Sequence, residues 1–310
     1  MSRALAVPPT RIDGAWYLTG LTGGVGAAVA AGLVLGLDET RMLWAMGIAV
    51  SRAAGLREAH GTMSKNLVAG CAAADGVMAA LLAQQGLAGP ETPIEGSRGL
   101  GKVVAEGADY TRITAGLGRT WELMRNAYKP FPSGIVTHAA ITAALELVEA
   151  HALAAEDIAE IRLTVHPLCL ELCGRRTPKD AVEGTFSVYH WVAVALKEKA
   201  IGIRHFSDAT VADPAVVALR DRVTAEPAPG FRKDEAAIEV VLYDGTRLRR
   251  HVAHARGAIE RPPSDAELTA KLVDLADPVL AGRAGALAEA CWRLESAPRV
   301  TALIAAATGC

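Results

Sequence analysis

The sequence predicts a mainly α-helical protein, a large all-helical domain interrupted by a smaller α+β domain. Three observations predict it. From Gly23 to about Gly118, Ala-rich segments carry Leu, Val and Met at three- and four-residue spacing, separated by short Gly, Pro and Asp punctuation. Ile158 to Val165 alternates apolar and polar residues as a half-buried strand does. Tyr243-Asp244-Gly245-Thr246 lies between two further strand-like runs, and its Asp-Gly is a hairpin signal because glycine takes positive φ cheaply.

In chain order, the spacing predicts helices over Gly24–Leu35, Glu39–Ala53, Ala69–Gln85 and Gly99–Glu106, with a short one near Thr120. The first thirteen residues, with Arg3, Pro8, Pro9 and Arg11, read as an irregular arm. Further on, Thr137–Ala150 and Val188–Lys199 are helical, and Asp213–Val223 is helical behind a proline in its first turn. Ala237–Leu242 and Arg247–Ala253 are the hairpin strands. Ser264 and Glu267 form a capping-box pattern that opens the C-terminal helices. The domain division is then 1–125, helical; 126–257, α+β; and 258–310, a tail too small to stand alone that is expected to rejoin the helical part.

With 32 Lys+Arg against 34 Asp+Glu over 310 residues, the net charge of -2 makes no field for nucleic acid or an anionic membrane. A charged ligand must be met locally. The five scattered cysteines, Cys71, Cys169, Cys173, Cys291 and Cys310, are odd in number and fit a reducing compartment, so the expectation is cytoplasmic. Gly20 to Leu37 carries no charge over eighteen residues, but its Gly, Ala and Thr content and lack of aromatic anchors fit a closely packed buried helix rather than a membrane span.

Two lysine segments stand out. Gly61-Thr62-Met63-Ser64-Lys65 places a cation in a small, polar, turn-like stretch between apolar helices, and Lys129-Pro130-Phe131-Pro132-Ser133 is stiffened by two prolines. His138 follows at the start of a helix, where anions are favoured, so Lys129, Ser133 and His138 can together receive an anionic group. Phe186-Ser187-Val188-Tyr189-His190-Trp191 offers a phenol and an imidazole for proton transfer, or a core aromatic face. The glycines of Thr22-Gly23-Gly24-Val25-Gly26 follow no strand, so they read as helix packing rather than a dinucleotide loop. Cys169-x-x-x-Cys173 near His166 lacks a second ligand pair, and no metal is expected.

Taken with Trp16-Tyr17-Leu18-Thr19-Gly20, Gly86-x-x-Gly89-Pro90-Glu91 and the order of all these segments, the chain resembles the MmgE/PrpD family along nearly its whole length. The resemblance implies a helical domain and an α+β lid with the site in the cleft between them, usually in a homodimer. It also implies proton chemistry next to a carboxylate on small di- and tricarboxylates, with no metal or organic cofactor. It assigns Lys65, Lys129 and His138 to the site; Tyr17 and His190 are the candidate proton carriers, and Thr19, Ser64, Ser133 and Tyr189 the candidate substrate contacts. The departures are Tyr17 where a catalytic His is common, Val68 where a His often follows the lysine, and Cys71 where an Arg is usual. Family chains usually begin with a further helical section bearing a His and an Asp of the site. The expected reaction is therefore that of a lyase or isomerase on a small organic acid or related metabolite, including a specialised biosynthetic isomerase or cyclase. The alternative is a binding or split-enzyme subunit whose partner chain supplies that section.

Overall fold

The computed structural model describes residues 1–6, 11–12, 14–60 and 62–308, and only the backbone of Arg3, Arg11 and Ile12. Gly61, Pro8, Pro9 and Cys310, which entered the sequence reading, lie outside the described residues. The chain divides into two compact units, Met1–Glu122 and Leu123–Cys310.

The first unit is helical. Its elements are α1 (Ser2–Ala6), β1 (Arg11–Ile12), α2 (Leu18–Val34), α3 (Glu39–Ser51), α4 (Ser64–Gln84), α5 (Leu100–Val104), β2 (Ala105–Glu106) and α6 (Thr111–Thr114). The arm read as irregular thus contains a short helix, and Arg11–Ile12 pairs antiparallel with Ala105–Glu106. Near Thr120, where a short helix was expected, the chain makes a 3-10 turn over Glu122–Arg125.

Helices α2, α3 and α4 pack on one another around Val25, Ala28, Ala45, Ala49, Ala79, Ala80 and Ala83. Small side chains let the axes approach closely. A Cβ on Gly76 would lie 2.3 Å from the Gly24 carbonyl oxygen and 2.5 Å from the Ala27 Cβ. This is the helix-packing use of the glycine run, and it explains why α2 begins at Leu18, six residues before the spacing suggested. Packing outweighs the weak helix propensity of Gly20, Gly23, Gly24 and Gly26. By length and composition α4 could cross a membrane, whereas α2 is shorter. In this fold α4 buries Ala72, Gly76, Ala79, Ala80 and Ala83, and leaves Leu67, Val77, Met78 and Leu81 exposed.

The second unit contains α7 (His138–His151), β3 (Ile158–Val165), α8 (Pro167–Cys173), α9 (Ala181–Gly184), α10 (Val188–Glu198), α11 (Asp208–Ala212), α12 (Pro214–Asp221), β4 (Val223–Pro227), β5 (Ala236–Leu242), β6 (Arg247–Val252), α13 (Asp265–Leu280), α14 (Ala284–Trp292) and α15 (Thr301–Thr308). Its sheet runs β4-β3-β5-β6, parallel between β3 and β4 and antiparallel elsewhere. Val223, read as the end of a helix, instead pairs with Ile161. Helix α7 packs on β5, β6 and α10, burying Ala140, Ile141, Ala144 and Leu147 against Ile161, Leu163, Trp191 and Val240. Elsewhere on β3, β5 and β6, Arg162, Arg247 and Arg249 converge on Glu239.

Ser264 caps α13 with Glu267 in the expected reciprocal box. The C-terminal helices fall in this second unit: Asp274 of α13 accepts from the Ile203 amide, and Lys271 reaches the Lys129 carbonyl at 2.6 Å.

Gly76→Ala forces a methyl against backbone atoms and is expected to destabilise the first unit by about 1–3 kcal/mol. Gly70→Ala, on the same helix with nothing within 4 Å of the added Cβ, is expected to be neutral or to stabilise by roughly 0.5–1 kcal/mol. Chemical denaturation of the two variants checks both; equal effects would contradict the close-packing account.

Candidate functional site

The first unit gathers Tyr17, His60 and Lys65. An isolated bridge joins Trp16 to Leu56, the Tyr17 amide donates to the Gly55 carbonyl at 3.1 Å, and the Arg57 amide donates to the Ala15 carbonyl at 2.7 Å. These bonds fix the approach to α2 against the approach to α4. The Tyr17 and His60 rings meet edge to face, 5.1 Å between centroids. Lys65 is half-buried in the first turn of α4, which starts at Ser64; of the segment read as turn-like, Thr62 and Met63 do turn the chain, and Ser64 and Lys65 begin the helix. Partial burial, then the charges of Lys65 and Arg57, hold the His60 pKa below its ordinary value. Thr19 and Ser64 are exposed, and the Ser64 hydroxyl pairs with that of Thr62 at 2.6 Å.

The second unit gathers Lys129, His138 and a pocket. The Tyr128 amide donates to the Gly257 carbonyl at 2.8 Å, and Pro130 and Pro132 then carry the chain inward so that Phe131 is buried. Thr137 donates to the Ser133 hydroxyl at 2.9 Å and to the Gly134 carbonyl, turning the chain into α7 with His138 at its first position. The Phe131 and His138 rings pack edge to face at 5.3 Å. His138 is 1 % exposed, and its Nε2 has no hydrogen-bond partner among the described residues. Burial, then the charge of Lys129, lowers its pKa to about 4; a hydrogen bond to the Ser133 backbone opposes this, and Lys271 adds to it. The imidazole is thus neutral near pH 7. It lines a pocket of about 280 Å³ together with Tyr128, Ile135, Asp234, Arg256 and Glu260.

The remaining candidates are enclosed. Ser133 is buried, with its hydroxyl turned to Thr137. Tyr189 is buried under the Arg176 guanidinium, 4.6 Å from its ring centroid. His190 is 1 % exposed, its amide held by the Ser187 hydroxyl and its Nδ1 without a partner among the described residues, and burial followed by the Arg220 charge lowers its pKa to about 4. The core aromatic face is what this cluster forms. Cys169 and Cys173 are both buried in the core, and burial, then the neighbouring Cys173, pushes the Cys169 thiol up to about 12. His166 instead accepts from the Leu168 amide as a helix cap.

Sequence reasoning missed His60, Lys271 and a cluster of Asp234, His254 and Glu260. His60 had a signal, since it directly precedes the Gly61 segment; the other groups are joined only by the fold.

These features define a mainly helical protein whose α+β unit presents a pocket lined by a neutral, buried histidine beside a lysine. Residues 2–113 match the MmgE/PrpD N-terminal domain and residues 131–294 the MmgE/PrpD C-terminal domain, and the chain belongs to the MmgE/PrpD family. It is similar to the cis-aconitate decarboxylase of Homo sapiens, 28% identical over 81% of this chain and 54% of the relative. It is similar also to the cis-aconitate decarboxylase of Aspergillus terreus, 25% identical over 82% of this chain and 56% of the relative. A shorter match, 30% identical over 38% of this chain and 27% of the relative, is to the 2-methylcitrate dehydratase of Cupriavidus necator. The chain spans about half the length of the cis-aconitate decarboxylases it matches.

Both buried histidines bind protons less readily folded than unfolded, so stability is full above the ordinary value near 6.5 and falls as pH drops toward 4. The expected slope is at most about 1.4 kcal/mol per pH unit for each. Ring-nitrogen NMR at pH 6 should find His138 and His190 neutral, and a midpoint at or above 6.5 for either would contradict their burial.

Proposed function

We propose that this chain is a lyase or isomerase acting on a small organic acid by proton abstraction next to a carboxyl or carbonyl group, in the manner of a dehydratase, decarboxylase or epimerase, without an organic cofactor or a metal in the proton steps. The observation that carries this reading is the neutral, buried His138 on an open pocket, with the charge of the exposed Lys129, outside that pocket's lining, acting on it. A neutral imidazole can donate its N–H to a carboxylate or take up a proton on its other nitrogen without first losing one, and the lysine supplies the counter-charge. The family and its decarboxylase and dehydratase members support the same chemistry.

In this proposal Lys65 and Lys129 hold carboxylate groups and stabilise the enolate-like charge that follows loss of the proton. His138 is the anion partner or acid. Tyr17 carries the proton in the first unit, where His60 lies against its ring. His190, enclosed in the core, would carry a proton only after an opening of α10's first turn.

The test is incubation with cis-aconitate, citrate, 2-methylcitrate and related acids in deuterated water, read by loss of the C–H signal next to a carboxylate. Exchange or turnover is expected in the unaltered protein, and Lys65→Ala and Lys129→Ala should each lower it by roughly 100-fold. Full activity in both variants, or no exchange with any acid, would overturn the assignment.

One observation favours a second reading. The exposed apolar side chains of α4, Leu67, Val77, Met78 and Leu81, offer a surface for a second copy or for a helical partner that completes the site. Under that reading the protein alone is inactive, and a copurifying helical protein restores exchange; a homodimer active by itself would set it aside.

A further inference from the structure

We propose that Asp234, His254 and Glu260 form a site for a divalent cation on the rim of the His138 pocket, able to hold one end of a small carboxylate. Among the described residues, these three each offer a ligand atom, and the atoms lie within 4.8 Å of one another. His254 Nδ1 is 3.0 Å from Asp234 Oδ2 and 3.4 Å from Glu260 Oε2. Donors around a tetrahedral ion with bonds of about 2.1 Å stand roughly 3.4 Å apart, so small side-chain adjustments close the shell.

The fold brings the donors together from two stretches of chain. Asp234 precedes β5, and His254 and Glu260 follow β6; the Ala255 amide donates to the Asp234 carbonyl at 2.9 Å, and the Gly257 amide to the Arg261 carbonyl at 2.9 Å. One imidazole and two carboxylates suit manganese, iron, cobalt or zinc better than magnesium or calcium. Three protein ligands leave further positions open.

A second observation points to a ligand here. Asp234 and Glu260 line the pocket that His138 also lines, and His138, 1 % exposed, has an unpartnered Nε2. A buried polar atom without a partner is costly, and a carboxylate spanning ion and imidazole would satisfy it. The ion takes no part in the proton steps proposed above; it offsets two carboxylates that would otherwise repel an acidic ligand.

The present counter-charge is Arg232. Its Nη2 lies 2.6 and 2.7 Å from the two ring nitrogens of His254, and its Nε 3.4 Å from Asp234 Oδ1. An incoming ion must displace this guanidinium, and removing the arginine should therefore strengthen binding.

The test uses Mn2+, which avoids the exposed thiols of Cys71 and Cys291, on the full chain without an affinity tag. Loss of the free-ion signal in electron paramagnetic resonance gives the affinity without any substrate, so failure of the proton-abstraction reading leaves this result independent. Saturable binding is expected, tighter by about tenfold in Arg232→Ala, and weaker by about tenfold or more in Asp234→Asn and His254→Ala. Glu260→Gln provides a second carboxylate test, and circular dichroism confirms that each variant is folded. No binding at millimolar Mn2+ in either the unaltered protein or Arg232→Ala would overturn the proposal. So would binding unchanged in folded Asp234→Asn and His254→Ala.

Discussion

The second unit's site depends on one backbone hydrogen bond, from the Tyr128 amide to the Gly257 carbonyl. Gly257 has a φ of 90°, and a Cβ there would lie 2.5 Å from the Tyr128 oxygen and 2.8 Å from Pro130 Cδ. Only glycine permits the Tyr128–Pro130 stretch and the loop after β6 to lie this close. With that contact made, the two prolines aim Phe131 into the core, the Ser133 and Thr137 hydroxyls turn the chain, and α7 starts with His138 against Phe131. Lys271 closes the same arrangement from α13 by donating to the Lys129 carbonyl.

The electrostatics follow from that enclosure. His138 is removed from water beside Lys129 and Lys271, so the uncharged ring is favoured. His60 reaches a milder version of the same state with less burial and the charges of Lys65 and Arg57. In each unit a lysine therefore has a histidine near it that is biased toward neutrality. That is a useful property for groups that must bind an anion and handle a proton within one pH range.

Much of the framework was legible because local pattern and tertiary need coincide. Ile158–Val165 alternates and is a strand; Asp244-Gly245 turns a hairpin between β5 and β6; Ser264 and Glu267 cap α13. Where the two diverge, the pattern misled. The glycine run is rightly read as helix packing, here against α4, but its weak helix propensity hides the start of α2 at Leu18. Ser64 and Lys65 look like turn residues and begin a helix, and Val223 ends a helical run by joining a parallel strand. The lysines and His138 could be singled out because they sit in stiff or unusual segments. Asp234, His254 and Glu260 could not, since antiparallel pairing of β5 with β6 brings their flanking stretches together.

In the function proposed above, the neutral His138 and Lys129 receive a carboxylate together. The most direct measurement is ring-nitrogen NMR of His138 during titration with citrate. Bound carboxylate offsets the lysine charge, so the His138 pKa should rise from about 4 as citrate saturates, and Lys129→Ala should remove the rise. An unchanged His138 at saturating citrate, or the same rise without Lys129, would contradict it.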